Sequence, residues 1–237
     1  MVNENAPTLE IEDRRVAFYG GSFDPVHNGH VAIAHALITQ FNLDEFVFIP
    51  AFHAPHKKRK KPTSSYDRYA MLCIVTVNDP NISVSKIEIE LPERPYSVET
   101  LPRLNSLYPS DEIFFVMGAD SWMDITSWRE WETVLSLTNQ IVVTRPGHPI
   151  STDHVTDEIR SRIVDLRSEG PPLRSVFSHI EQRTTNNQHR TIYLTDSVNL
   201  DISATEIRQK IRDLDGSWRS DVPVEVANYI EKYQIYN

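Results

Sequence analysis

Apolar runs rich in β-branched and aromatic residues recur along the chain, separated by segments whose apolar residues follow a helical period. Such runs are typical of buried strands, and the intervening segments of amphipathic helices. The predicted strands are Val16–Tyr19, Phe46–Ile49, Ile82–Ile89, Ile113–Met117, Ile141–Thr144 and Thr191–Leu194. The predicted helices are His30–Phe41, Tyr66–Asn78, Ser97–Tyr108, Ser203–Leu214 and Pro223–Tyr233. This alternation predicts an α/β fold: a Rossmann-like, doubly wound parallel sheet with helices on both faces and ligand sites beyond the carboxyl ends of the strands.

The pattern also predicts how the 237 residues are organised. Residues 1–14 form a polar N-terminal tail, and residues 15–237 form a single domain, because a chain of this length can bury one sizeable core. The alternation of apolar strands and amphipathic helices is interrupted at about 148–190. There a predicted helix around Asp157–Arg167 is followed by the polar stretches GPPLRS and TTNNQHR. We interpret this segment as an insertion within the domain.

Charge and composition narrow the class of partner. The formal net charge of −9 disfavours nucleic acid and anionic membranes as partners. The single cysteine, Cys73, excludes an intramolecular disulfide and fits a reducing compartment. The N-terminus is acidic where a signal peptide would be basic, and no apolar run approaches a membrane span. We therefore expect a soluble, cytoplasmic protein.

The segment GGSFDPVHNGH, from Gly20 to His30, joins the first predicted strand to the first predicted helix. Two adjacent glycines let backbone N–H groups approach a ligand closely, and the helix N-terminus adds unpaired donors and a positive dipole end. His27 and His30 are spaced to share one face of the first helical turn. The pair suits a phosphate clamp, a metal site or an incidental surface position; phosphate contact is favoured, because no further metal ligands with suitable spacing occur. The turn-forming residues Asp24 and Pro25 are assigned a structural role.

Two further segments carry candidate anion contacts. Lys57–Lys61 (KKRKK) follows a predicted strand, and Lys57 is the lysine expected to point inward, whereas Lys58–Lys61 suit a solvated loop or a nuclear-targeting tract. In DISATEIR, from Asp201 to Arg208, Ser203 and Glu206 match a capping box. Arg208, however, lies in the N-terminal half of its helix, where the helix dipole disfavours a cation. A bound anion would remove that conflict, and the Ser203 and Thr205 hydroxyls could assist.

A third set of candidates follows two later strands. Gly118 allows close approach of a ligand, Asp120 can accept a hydrogen bond from a ribose hydroxyl or base amine, and nearby tryptophans offer aromatic faces. Arg145, in VVTRPG, adds a possible phosphate contact. These residues extend the candidate site along the same edge of the predicted sheet.

The motifs together resemble a known family. GGSFDPVHNGH is similar to the GxFDPxHxGH signature of the HxGH nucleotidyltransferase superfamily, and DISATEIR resembles its late ISSTxIR helix start, with Ala204 in place of the second serine. The segments that narrow the resemblance to nicotinate or nicotinamide mononucleotide adenylyltransferases are PHK at Pro55–Lys57, RPYSVETL at Arg94–Leu101, GAD at Gly118–Asp120, SW at Ser127–Trp128 and TRPG at Thr144–Gly147.

The resemblance implies that a mononucleotide phosphate attacks the α-phosphorus of ATP in line, with Mg²⁺ carried on the ATP phosphates and pyrophosphate released. Catalysis would rest on His27, His30 and Arg208. The residues implied to bind ATP are Gly20, Gly21, Ser22, Phe23, His27, His30, Gly118, Asp120, Ser203, Thr205 and Arg208. Those implied to bind the mononucleotide are Ser22, Phe23, Lys57, Ser97, Thr100, Trp128 and Arg145.

The alternatives are another enzyme of the superfamily, such as a pantetheine-phosphate adenylyltransferase, and a nucleotide-binding module without turnover. The Trp128 and YSVET features disfavour the first, and the intact histidine pair with Arg208 disfavours the second. The preference between nicotinate and nicotinamide mononucleotide stays open, because backbone donors can hold a carboxylate without a side-chain signature. A homo-oligomer is compatible with the sequence.

Overall fold

The computed structural model describes residues 14–52, 63–91, 93, 95–144, 150–167, 190–198 and 200–236. The strands are β1 (Arg15–Gly21), β2 (Glu45–Pro50), β3 (Ile82–Val84), β4 (Glu112–Gly118), β5 (Asn139–Val143), β6 (Ile163–Asp165) and β7 (Ile192–Thr195). The helices are α1 (Asn28–Phe41), α2 (Ser65–Thr76), α3 (Ser97–Leu107), α4 (Ala119–Met123), α5 (Trp131–Leu137), α6 (Asp157–Arg160), α7 (Ala204–Arg212) and α8 (Val224–Tyr233). Short 3-10 helices occupy Ile125–Ser127 and Gly216–Ser220.

The strands form one sheet in the order β3-β2-β1-β4-β5-β7-β6, and every pairing within it is parallel. β1 lies between β2 and β4, with Tyr19 opposite both Phe48 and Val116. This register brings the carboxyl ends of the three strands together, at Gly21, Pro50 and Gly118. The predicted parallel α/β architecture is confirmed, and its expected ligand edge is the one that carries the glycines.

Each face of the sheet is covered by its own apolar cluster, which explains the nearly continuous apolar strands. Ala17 and Tyr19 of β1 belong to the first apolar cluster, which includes Leu37 of α1. Val16 and Phe18, which point the other way, belong to the second apolar cluster, which includes Leu101 of α3. Helices therefore lie on both faces, as the doubly wound prediction requires. In the described ranges, no helix has the length and hydropathy needed to cross a membrane.

The third predicted strand, Ile82–Ile89, is too long. The strand covers Ile82–Val84 only, and the residues after it form turns. Ser85 still donates its backbone N–H to the Phe48 carbonyl at 2.8 Å, but its side chain accepts from the Ile87 N–H at 3.2 Å. β3 is an edge strand with β2 as its one neighbour, so this local hydroxyl bond ends the ladder.

The helix predicted around Asp157–Arg167 is also wrong in extent. The helix ends at Arg160, and Ile163–Asp165 form β6, which pairs with β7. The Ile192 N–H donates to the Arg162 carbonyl at 3.1 Å, so a distant strand determines this conformation. The segment predicted as an insertion thus contributes β6, the edge strand opposite β3. Residues 145–149 and 168–189 lie outside the described residues, and the division into tail, domain and insertion stays a prediction.

Candidate functional site

The loop between β1 and α1 is built around a buried aromatic side chain. Phe23 has a left-handed backbone, with φ of 46°, and its ring packs edge-on against Tyr19 and Phe48 at centroid distances of 5.4 and 5.2 Å. A Cβ atom added at Gly21 would lie 2.7 Å from the Phe23 ring, so the glycine is required by the close approach of that ring. Gly20 and Ser22 are partly exposed. The packing of the buried Phe23 ring thus anchors the loop backbone, while Gly20 and Ser22 remain accessible to solvent.

The two histidines form a stacked pair at the start of α1. His27 is the residue that precedes the helix, rather than part of its first turn as the spacing predicted, and it is buried. The rings lie 3.7 Å apart between centroids, and the His27 backbone N–H donates to His30 Nδ1 at 3.3 Å. This bond places the proton of a neutral His30 ring on Nε2, which makes that atom a hydrogen-bond donor. The geometry suits contact with phosphate oxygen at a helix N-terminus.

Arg208 of α7 reaches the same loop from nearly two hundred residues away. Its guanidinium donates to the backbone carbonyl of Asp24, and to Thr205 Oγ1 at 3.2 Å. One Asp24 carboxylate oxygen lies 4.0 Å from the guanidinium. Arg208 is therefore held mainly by the Asp24 carbonyl, with the carboxylate at a longer distance, and a bound anion at this helix start stays a prediction. The role of Asp24 accordingly extends beyond the turn that its motif suggested.

The predicted capping box at the start of α7 is not formed. Ser203 precedes the helix, but its side chain makes no capping hydrogen bond. Ser203 is partly exposed and Thr205 is exposed at the first turn. Both hydroxyls therefore lie at a helix N-terminus beside Arg208, which is an arrangement that suits an anion.

Arg68 of α2 is the main structural residue that the sequence interpretation missed. Its side chain is 1% exposed and donates to backbone carbonyls of three segments: Ser22 of the loop, Ala51 after β2 at 2.6 Å, and Thr63 before α2 at 3.2 Å. Burial lowers the pKa of its guanidinium. The signal was its position on the buried face of a helix, with Met71 and Leu72 three and four residues later. An arginine on the apolar face of a helix indicates that buried hydrogen-bond acceptors lie within reach of its guanidinium, because a buried charge must be paired.

The elements that carry the residues predicted to bind the mononucleotide are joined by neighbouring side chains, which the sequence interpretation did not select. Ser97 begins α3, and Trp128 follows the 3-10 helix at Ile125–Ser127 and packs partly buried on the second apolar cluster. Arg129 joins the two elements: its guanidinium lies 5.2 Å from the Tyr96 ring centroid and 3.3 Å from a Glu99 carboxylate oxygen. The structure thus brings the elements carrying Ser97 and Trp128 together.

Thr100 is buried, and its hydroxyl donates to Glu88 Oε1 at 3.0 Å. Burial raises the pKa of Glu88 to about 7, although the Thr100 bond and the charge of Arg68 act in the opposite direction. Glu88 was not singled out from the sequence, because its exposure depends on how the segment after β3 turns. The Glu88 carboxyl thus accepts a hydrogen bond from Thr100 and is influenced by the charge of Arg68. Arg68 in turn contacts the loop after β1.

Gly118 and Asp120 lie where the sequence predicted them. Gly118 ends β4, beside β1, and a Cβ atom added there would meet no other atom within 4 Å. Asp120 is exposed in the first turn of α4. The predicted contacts Lys57 and Arg145 lie outside the described residues. Within the described ranges, no group of three or more His, Cys, Asp or Glu side chains is placed to hold a metal ion.

Comparison with known proteins identifies the class. A family model described as "Cytidylyltransferase-like" matches residues 18–210, and the chain belongs to this family. The superfamily resemblance drawn from the motifs is thereby confirmed. Curated relatives of the chain carry more specific names. A protein of Geotalea daltonii named "Probable nicotinate-nucleotide adenylyltransferase" is 34% identical over 94% of this chain and 98% of its own length. One of the same name from Geotalea uraniireducens is 33% identical over the same shares.

A solved structure supports the fold. The Plasmodium falciparum nicotinic acid mononucleotide adenylyltransferase, complexed with NaAD, is similar with a TM-score of 0.66 and 21% identity. The match covers 94% of this chain and 97% of that one. The sheet and its flanking helices are therefore an arrangement that the two chains share.

Proposed function

We propose that this protein is an adenylyltransferase that transfers AMP from ATP to nicotinate mononucleotide, releasing pyrophosphate and forming the dinucleotide in NAD biosynthesis. The observation that carries the proposal is the joining of the stacked pair His27–His30 and the cation Arg208 around one loop. The names of the curated relatives, which match along nearly their whole length, support the same substrates. Nicotinamide mononucleotide is the alternative acceptor.

The reaction follows from positioning and charge. ATP enters as its Mg²⁺ complex, with Mg²⁺ as part of the substrate. The mononucleotide 5′-phosphate oxygen forms a bond to the α-phosphorus as the bond to the bridging β-oxygen breaks, and pyrophosphate leaves. Such transfers gain most of their rate from orientation and from stabilising the charge on phosphate oxygens. No covalent intermediate on the protein is required.

Each part of the site has a role in this scheme. The backbone of Gly20–Phe23 lies between the two substrates, and His27 and His30 contact the α-phosphate as its charge shifts. The residues that hold the β- and γ-phosphates are Ser203, Thr205 and Arg208. Gly118 and Asp120 take the adenosine ribose. Ser97 and Trp128 contact the mononucleotide directly, and Lys57 and Arg145 attract its phosphate charge. Thr100, which is hydrogen-bonded to Glu88, is assigned to the same binding region.

Pyrophosphate release from the purified protein with MgATP tests the proposal. We expect release with nicotinate mononucleotide, and none when the acceptor is omitted or replaced by pantetheine phosphate. The kcat/KM values for nicotinate and nicotinamide mononucleotide then decide the acceptor. Absence of release with either mononucleotide, across several divalent metals, would overturn the proposed function. The cytoplasmic location and a homo-oligomeric state remain predictions, the second checked by sedimentation.

A further inference from the structure

The chain's C-terminal tyrosine is hydrogen-bonded to the loop that follows β1. Tyr236 donates its hydroxyl to Asp24 Oδ1 at 2.8 Å, across a sequence separation of 212 residues. α8 ends at Tyr233, and Gln234 then adopts a left-handed backbone while the Ile235 N–H donates to the Ile230 carbonyl at 3.0 Å. This turn directs Ile235 and Tyr236 back towards the core.

Tyr236 has an unfavourable backbone conformation. Its φ is 75°, in the left-handed region that is unfavourable for a residue with a bulky side chain. Its ring packs against the first apolar cluster, and burial raises the pKa of its hydroxyl, so the group stays a neutral donor. The packing and the hydrogen bond to Asp24 together offset the backbone cost.

Asp24 connects this tyrosine to the candidate catalytic cation. The Asp24 carbonyl accepts from Arg208, and its carboxylate accepts from the Thr63 N–H at 3.5 Å and from Tyr236. The second carboxylate oxygen lies 4.0 Å from the Arg208 guanidinium, too far for a close ion pair. Since Asp24 is buried, its carboxylate would attract that guanidinium strongly if nothing else held it.

We propose that Tyr236 is a positioning residue for adenylyl transfer. Its hydroxyl holds the Asp24 carboxylate away from a close pair with Arg208, so that the guanidinium is fixed by the Asp24 carbonyl and keeps its charge available for ATP phosphates. This inference rests on the proposed function, and it adds Tyr236, from the segment after α8, to the residues that organise the ATP site. Without the hydroxyl, the carboxylate would close on Arg208 and compete with phosphate.

The test compares Tyr236→Phe, which keeps the ring and removes one hydrogen bond, with Tyr233→Phe. Tyr233 is 56% exposed on the same chain end and contacts the Tyr229 ring, which makes it a matched control. We expect Tyr236→Phe to weaken MgATP affinity in titration calorimetry, and to lower kcat/KM for ATP, by about tenfold. The KM for the mononucleotide should stay close to that of the wild type, and the melting temperature should fall by only about 2–4 °C for the lost hydrogen bond. Tyr233→Phe should change none of these quantities.

A second variant tests whether the effect passes through Asp24. If it does, adding Tyr236→Phe to Asp24→Asn should reduce ATP affinity no further than Asp24→Asn alone, whereas independent effects would add. Wild-type ATP affinity in Tyr236→Phe, additive effects of the two substitutions, or equal losses of affinity for both substrates would overturn the inference. If the wild type binds MgATP but releases no pyrophosphate, the proposed function fails, while the affinity comparison still decides the role of Tyr236. Absence of MgATP binding by the wild type would overturn both.

Discussion

At the scale of single residues, the histidine pair shows how a local motif becomes a defined geometry. The spacing of His27 and His30 places them near one helix start, but the stack at 3.7 Å arises because His27 precedes the helix and donates its N–H to His30. A Cβ atom added at Gly29 would lie 3.1 Å from the His27 ring, so the glycine between them also leaves room for the pair. The backbone N–H and the ring of His27 therefore fix the orientation of His30.

His30→Ala is expected to lower kcat by about 100-fold while changing ATP affinity much less, because the contact should strengthen as charge shifts on the α-phosphate. Steady-state kinetics and a separate binding titration measure the two quantities. His35→Ala is the control, since His35 lies on the same helix with an exposed side chain that pairs with Asp79. Equal losses in kcat and in affinity would contradict a role specific to the transition state.

At the scale of elements, helix α2 fixes the loops around the site through one side chain. Arg68 contacts carbonyls that come from the ends of β1 and β2 and from the start of α2, so the relative positions of these backbones depend on its planar group of donors. The apolar pattern predicted α2 well, because its buried residues recur at helical spacing. It could not predict the acceptors, which come from segments distant in sequence.

Arg68→Lys is expected to destabilise the protein by about 3 kcal/mol, because a lysine ammonium cannot satisfy all of these buried carbonyls at once. The kcat should also fall, since the Ser22 backbone loses its anchor. Urea unfolding and the pyrophosphate assay measure the two effects. Arg103→Lys, on the exposed face of α3, provides the control. An unfolding free energy unchanged in Arg68→Lys would show that these bonds add no stability.

At the scale of the whole molecule, the packing of α2 and α3 beside the turns after β3 surrounds a carboxyl group, that of Glu88, whose pKa is raised towards neutral pH. Glu88 lies between Thr100 and the charge of Arg68, and its pKa is raised from 4.5 to about 7 because burial disfavours its charged form. The folded state therefore holds this proton to a higher pH than the unfolded chain does. Its contribution to stability is fully present below pH 4.5 and is lost as the pH rises through about 7.

Glu88→Gln should remove this pH dependence while keeping an acceptor for Thr100. Between pH 4.5 and 8, the free energy of unfolding of the variant should rise relative to the wild type by about 3 kcal/mol. Urea unfolding at intervals of one pH unit measures the difference. Glu90→Gln, on the exposed side of the same segment, should give a curve parallel to that of the wild type. A constant difference between Glu88→Gln and wild type would contradict the raised pKa.

The sequence by itself determined the parallel α/β architecture, because strands buried on both faces must be apolar throughout and the helices between them amphipathic. It also determined the glycine loop, the histidine pair and the late helix with Arg208, since these depend on spacing within a few residues. Membership of the family followed from the same motifs.

Only the tertiary structure decided how those parts are held in place. The edge strand Ile163–Asp165, the carbonyl acceptors of Arg68, the Thr100–Glu88 bond and the contact of Tyr236 with Asp24 all depend on partners brought near by folding. Periodicity reports which face of an element is buried, but a hydrogen bond forms only when chain geometry places a particular donor within about 3 Å of its acceptor. The sequence therefore predicted which groups contact phosphate, and the folded chain determined what orients those groups.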